Sequence, residues 1–214
     1  MRRLILDLDG TLIDSLADLT QSVNETLLAC GYPQCTLADV RRAIGDGPYK
    51  LLERVSHAYP DEHTMDLFRR SYERNMYRAP RVYDGARETI ADLRAAGWKI
   101  GVISNKQDGA AKALVRYLFG DAIDCTVGSR VGVPTKPDAT MWHIFAQACG
   151  VESQDECIYV GDSAVDARFA LAAGISFIGA GWGFGDVRSA ANATIASDWM
   201  QLRERLLTTA VLSV

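Results

Sequence analysis

The chain reads as an α/β protein: a parallel sheet covered by helices on both faces, with an all-helical block inserted after the first strand. Three observations carry this reading. From about residue 82 onward, short apolar runs alternate with stretches of helical period, as successive βα units of a parallel sheet do. The opening run, Leu4-Ile5-Leu6, is apolar at every position rather than at alternate ones, which suits a strand buried on both faces. Between residues 15 and 82 the alternation stops and only helical spacing is found. The expected division is a core of residues 1–14 and 83–214 and a separate small domain of residues 15–82 lying over the end of the first strand.

The first strand ends in Asp7-Leu8-Asp9-Gly10-Thr11. In α/β sheets ligands bind beyond the carboxyl ends of strands, so these acids stand where chemistry is usually done. Residues two apart in extended chain point to one side, and Gly10 lets the backbone turn there. Two carboxylates about 4 Å apart repel by ~4 kcal/mol at an effective dielectric near 20. A fold keeps such a pair beside a cation or with one member protonated. The pattern points to a hard divalent metal, an acid/base division of labour, or both. Taken alone, Asp9-Gly10 also fits a capped turn, a reading that Asp7, still inside the strand pattern, fits poorly.

Asp14-Ser15 offers an N-cap, and Leu16, Leu19, Val23, Leu27 and Leu28 recur at helical spacing until Gly31 and Pro33 stop the helix. Thr36 and Asp39 form a capping box with Asp in place of the usual Glu, leading a short helix to Ile44. Gly45-Asp46-Gly47-Pro48 breaks it, and helices follow over 49–58 and 61–78, before Pro80. Alternation then resumes. A helix over 86–96 closes at Gly97, and a strand over 99–103 ends in Ser104-Asn105-Lys106. A helix over 108–118, a strand over 122–127 and a helix over 139–149 follow. A strand over 157–160 runs into Gly161-Asp162-Ser163, and a helix over 164–173 closes at Gly174. The chain finishes with a strand over 175–178, a glycine-rich loop over 179–185, a weak strand over 194–196 and a helix over 197–207. Residues 206–214 are apolar for a chain end and read as docking on the sheet or forming a subunit contact.

Composition narrows the function classes. Hydrophobic residues make up 48% and charged residues 23%, ordinary for a soluble globular protein. The net charge is −4, and residues 15–82, with nine acids and nine bases, contribute none of it. The acidic part contains Asp7 and Asp9, which argues against nucleic acid as a partner; an anionic substrate would need a metal and local cations. Five cysteines without C-x-x-C spacing indicate neither a zinc site nor a full disulfide framework, so a reducing cytoplasm fits best. No stretch approaches the ~20 apolar residues of a membrane span, and no membrane association is expected.

Three more polar clusters fall at or beyond the ends of expected strands: Ser104-Asn105, Lys136-Pro137 and Asp162-Ser163-Ala164-Val165-Asp166. Each alone has a plain use, as an N-cap, a solvated lysine or a turn. Together with Asp7-x-Asp9-Gly10-Thr11, in this order, the set closely resembles the haloacid dehalogenase-like superfamily of phosphohydrolases, over nearly the whole chain. Three stretches, 7–15, 40–47 and Ile103-Ser104-Asn105-Lys106, resemble the phosphoglycolate phosphatase branch. The resemblance implies a Rossmann-like core with a helical cap inserted after the first strand.

It also implies roles. Asp7 would attack phosphorus and form an aspartyl-phosphate; near its normal pKa of ~3.9 a carboxylate needs no base to activate it. Asp9 would protonate the leaving alkoxide and then deprotonate water, with neighbouring negative charge helping it keep its proton. Asp7, the Asp9 backbone carbonyl and Asp162 would hold Mg2+, whose preference is for oxygen ligands, and Asp166 would act from the outer shell. Ser104, the Asn105 amide, Lys136, Gly10 and Thr11 would bind the phosphoryl oxygens.

The cap would choose the substrate, with Gly45, Asp46, Gly47 and Lys50 as candidate contacts and Arg41, Arg42, Arg69 and Arg70 as solvated. The implied activity is Mg2+-dependent hydrolysis of a small phosphorylated metabolite, 2-phosphoglycolate leading, by a monomer or homodimer. Alternatives are a β-phosphoglucomutase-type phosphosugar mutase, a pyrophosphate- or nucleotide-directed phosphohydrolase, and a scaffold on the same fold. A phosphonate-cleaving relative would need a Schiff-base lysine in the cap, where Lys50 is the one lysine of residues 15–82.

Overall fold

Six parallel strands make the central sheet. A computed structural model describes residues 1–78, 80–190 and 193–211. β1 (Arg3–Leu6) lies between β4 (Lys99–Gln107) and β6 (Cys157–Gly161), pairing Leu4 with both Ile100 and Ile158. β5 (Cys125–Ser129) extends one side, and β7 (Ser176–Ala180) and β8 (Thr194–Ala196) the other, in the order β5-β4-β1-β6-β7-β8. Alternate side chains of β1 serve opposite faces, as a pleated strand requires. Leu4 and Leu6 pack with α5 (Ala86–Ala95), α6 (Asp108–Phe119) and α9 (Trp199–Val211) through Ile90, Leu114 and Leu202. Ile5 packs on the other face with α7 (Thr140–Ala148) and α8 (Ala164–Ala173) through Trp142, Phe145 and Phe169. Burying each large apolar side chain of this kind contributes roughly 1.5–3 kcal/mol.

From β1 the chain moves to β4 and β5 on one side, then crosses to β6, β7 and β8 on the other. The loops after β1 and β6 therefore splay apart and leave a crevice at a topological switch point. Asp7 and Asp162 stand at its two lips.

Four helices, α1 (Leu16–Ala29), α2 (Leu37–Ala43), α3 (Pro48–Ser56) and α4 (Glu62–Asn75), bury a cluster of their own built on Val23, Leu27, Val40, Leu52 and Phe68. Ala110 and Phe184 of the sheet-bearing part join it. The Thr36 and Asp39 capping box is present in full. The chain enters and leaves this block through β2 (Ile13–Asp14) and β3 (Arg81–Val82), which pair antiparallel; two-residue strands are too short to show a period.

Other details differ from the reading above. Ser15 stands at the N-cap of α1 but makes no side-chain cap bond; its hydroxyl donates to Asp9, and Asp14 Oδ1 accepts from the Leu16 amide at 3.1 Å instead. β4 does not stop at Ile103: after a register shift it pairs Gln107 with Ser129, so Ser104, Asn105 and Lys106 lie within the strand. Cys125 and Cys149 form a disulfide, joining β5 to the end of α7, while Cys30, Cys35 and Cys157 are free. Among the described residues no helix is long and apolar enough to cross a membrane. The apolar tail continues α9 as far as Val211, and residues 212–214 lie outside the described residues.

Candidate active site

Asp7 follows β1, Asp162 follows β6, and Asp166 sits in the first turn of α8. One carboxylate oxygen from each lies within 4.8 Å of the others, and all three residues are buried. Lys136 reaches in from the segment between β5 and α7. Its Nζ stands 2.9 Å from Asp7 Oδ1 and 2.7 Å from Asp166 Oδ1, and it donates to Tyr159 Oη at 2.8 Å. Asp166 has both oxygens engaged, Oδ1 by Lys136 and Tyr159 and Oδ2 by the amide and hydroxyl of Ser163. Its place is to hold Lys136 and the start of α8.

Three buried acids against one ammonium leave an excess of negative charge. Burial pushes the Asp7 carboxyl up to about 6; Lys136 opposes the rise and Asp166 adds to it. Burial likewise pushes Asp162 well above the carboxylate range, with Asp166 and Asp7 adding to the effect. For Lys136 burial works against the charge, but Asp166 and Asp7 outweigh it and hold the ammonium above the ordinary lysine range. Asp7 Oδ1 is buried, with the Lys136 ammonium 2.9 Å away as its ionic partner. One ammonium does not balance three buried acids, and an all-oxygen set suits a hard divalent ion.

Glycines let Asp162 approach this closely. Gly10, at φ +87°, has no side chain to meet it; a Cβ there would overlap Asp162 Oδ2 and lie 2.7 Å from Asp162 Cγ. Gly183 in the glycine-rich loop lies against the same carboxylate, and the Gly185 amide donates to Asp162 Oδ2 at 2.7 Å.

Asp9 is arranged differently from the expectation. Its carboxylate accepts from Lys106 Nζ at 2.9 Å through Oδ1 and 2.7 Å through Oδ2, and from the Ser15 hydroxyl. The Asp7 and Asp9 carboxylates thus do not face one ammonium; each has its own. The charged group nearest Asp9 is the Lys106 ammonium, not the expected neighbouring acid. Its carboxylate also stands outside the three-acid cluster, which leaves the backbone carbonyl as its possible metal contact.

Ser104, Asn105 and Lys136 line one cavity of about 130 Å3 with Asp7, Asp9 and Asp162. Asn105 works through its side chain: Nδ2 donates to the carbonyls of Gly45 and Lys136, both at 3.0 Å, and Oδ1 accepts from the Lys136 amide at 2.9 Å. Gly10 and Thr11, expected to bind phosphoryl oxygens, are not among the residues lining the cavity; the Thr11 carbonyl accepts from Trp182 Nε1 at 3.0 Å.

Of the four cap positions, Gly45 and Gly47 line the cavity, whereas Asp46 pairs with Arg54 and exposed Lys50 pairs with Glu53 at 2.6 Å. Lys50 is therefore not placed for covalent chemistry. Arg41 is exposed, as expected, and also lines the cavity, donating its Nε to the Phe184 carbonyl at 3.2 Å; Arg42, Arg69 and Arg70 pair with nearby aspartates. Lys106 also lines the cavity, a residue to which the sequence alone assigns no role; its place two residues after Ser104 in extended chain, which turns both to one side, is the signal for it.

A family model described as haloacid dehalogenase-like hydrolase matches residues 1–174. The phosphoglycolate phosphatase of Cereibacter sphaeroides is 37% identical over 186 residues, covering 83% of this chain and 84% of its own. The phosphoglycolate phosphatase of Pseudomonas putida is 33% identical over 193 residues, covering 86% and 70%. Among solved structures, a haloacid dehalogenase-like family protein from Streptococcus pneumoniae matches with a TM-score of 0.82 at 20% identity, covering 96% of this chain and 98% of that one. CbbY from Rhodobacter sphaeroides, solved with phosphate, matches with a TM-score of 0.80 at 18% identity, covering 94% and 96%. At these identities the solved structures speak for the fold.

Proposed function

From the premise that this chain belongs to the haloacid dehalogenase-like hydrolase family and is a phosphoric monoester hydrolase, we propose that it releases phosphate from a small phosphomonoester, 2-phosphoglycolate first, through an aspartyl-phosphate. The observation that carries the reading is the pairing of one ammonium with each of two acids two residues apart. Lys136 sits beside Asp7 and Lys106 beside Asp9, on either side of one cavity.

Asp7 is the nucleophile in this reading. The Lys136 ammonium 2.9 Å away favours its carboxylate form. Its oxygen bonds to phosphorus as the bond from phosphorus to the leaving oxygen breaks, and Asp9 gives that oxygen a proton. Water then attacks the phosphorus, Asp9 takes the water's proton, and phosphate leaves with Asp7 restored. Lys136 and Ser104 face the phosphoryl oxygens, where a fixed positive charge and a hydroxyl act on developing negative charge. Asp7 and Asp162, with the Asp9 carbonyl, would hold Mg2+. When bound, the ion would neutralise charge on the phosphoryl group.

The relatives' activity, a cavity sized for a small metabolite and its buried cations support 2-phosphoglycolate as substrate. The test is release of inorganic phosphate from a panel of phosphomonoesters with Mg2+ or a chelator. Hydrolysis of 2-phosphoglycolate above the rest, abolished by chelation, is expected. Isomerisation of a phosphosugar without phosphate release would overturn the reading.

A further inference from the structure

Lys106 takes no direct part in the steps above, yet its charged side chain is only 8% exposed. An ammonium is buried at a cost unless it is paired. Its ion-pair partner is Asp9, and the ring of Tyr72, from the inserted helices, lies 4.5 Å from Nζ. An ammonium carries three donors, of which Asp9 takes two, and the Tyr72 hydroxyl stands beside the third.

The two lysines divide the cavity. Lys136 is engaged by Asp7, Asp166 and Tyr159 on the side where phosphorus would bind. Lys106 is on the Asp9 side, where the leaving oxygen would depart. Whatever is attached to that oxygen must lie beyond Asp9, against Lys106 and a wall made by Leu19, Ile44, Phe68 and Tyr72. Outside the Asp7 cluster the cavity's cations are Lys106 and Arg41. Arg41 is exposed at the rim and turned to the Phe184 carbonyl. A charge on the leaving group therefore meets Lys106 in a desolvated setting, where charge-assisted bonds are strongest. With Nζ 2.7 Å from Asp9, that charge must lie within two or three bonds of the ester oxygen.

We propose that Lys106 is the specificity-determining residue for the leaving group. Its ammonium receives a carboxylate carried by the alcohol, so that the enzyme selects phosphate esters of short hydroxy acids. This deepens the phosphatase reading and rests on it.

The test compares 2-phosphoglycolate with its uncharged match, the phosphate ester of glycolamide, in wild type, Lys106→Met and Lys106→Arg. Wild type should favour the acid. Lys106→Met should slow both esters, because Asp9 loses its partner, but the acid-to-amide ratio of kcat/KM should fall about 50-fold, the scale of one buried charged hydrogen bond. The fall should come mainly from the KM of the acid, and Lys106→Arg should restore part of the ratio. An unchanged ratio in Lys106→Met would overturn the proposal, leaving Lys106 as a positioning residue for Asp9. Inhibition of the wild type decides independently of whether the variants fold: glycolate should inhibit competitively and glycolamide far less, and equal inhibition would also overturn it. Hydrolysis of neither ester by wild type would instead overturn the phosphatase reading itself, and this proposal with it.

Discussion

Replacing Gly10 with alanine tests the packing that brings Asp162 to Asp7. Two costs combine there. Gly10 has φ +87°, where an L side chain costs about 1–2 kcal/mol. The new Cβ would overlap Asp162 Oδ2, and Asp162 cannot retreat, because Gly183 lies against it and the Gly185 amide holds the same oxygen. Forcing an extra carbon into a filled site costs about 1–3 kcal/mol. The sum is ~3.5 kcal/mol, or roughly 7–14 °C in Tm for a chain of this size. Two controls divide it. Gly31→Ala shares the positive φ, at +78°, but has nothing within 4 Å, so it should lose only the backbone part. Gly183→Ala places a Cβ 2.5 Å from Asp162 Oδ2 without a positive φ, so it should lose only the packing part. Urea unfolding in metal-free buffer measures all three. Equal losses for Gly10→Ala and Gly31→Ala would refute the close approach of Gly10 to Asp162.

Asp7→Asn should fold and, without metal, melt at or above wild type, since it removes a carboxylate that burial disfavours. Its turnover should fall by about 10^4-fold or more, as loss of a nucleophile does elsewhere; retained turnover would exclude Asp7 as nucleophile. Asn105→Ala strips partners from the Lys136 amide and two carbonyls and should cost about 2 kcal/mol, read by urea unfolding; no loss would mean those bonds do not form.

Glu25 of α1 gives a pH signature. The Ser71 hydroxyl, then Gln21, with Asn75 and Arg74 also contributing, lower its carboxyl to about 2 from an unfolded value of 4.5. A lowered carboxyl stabilises the fold above pH 4.5 and loses that contribution as pH falls towards 2. Screened as it is at a third exposed, it should be worth about 1 kcal/mol. Glu25→Gln should therefore be less stable than wild type at pH 7, with a gap that closes between pH 4.5 and 2; a constant gap would contradict the assignment.

The sheet was legible because its chemistry is local. Leu4, Ile5 and Leu6 had to be buried on two faces, and glycines marked the ends of the helices. The acids at 7, 162 and 166 and Lys136 were legible through order along the chain. What escaped depends on contacts across the fold. Ser15 looked like a helix cap, but its hydroxyl is taken by Asp9. The Asp7 and Asp9 carboxylates read as one facing pair, but Lys106, 97 residues on, is the ion-pair partner of the second. Arg41 and Lys50 are both cationic cap residues, and only the packing of α2 against the Phe184 loop turns Arg41 to the cavity. The Cys125 to Cys149 bridge likewise joins residues whose spacing carries no motif.

The short ribbon formed by Ile13 with Val82 and Asp14 with Arg81 has an architectural consequence. Facing residues in such a pair stand about 5 Å apart, so the whole helical insert hangs from a single doorway. A two-residue turn is enough to bridge paired strand ends. An insert whose two ends meet at that gap can be exchanged there without re-registering the sheet.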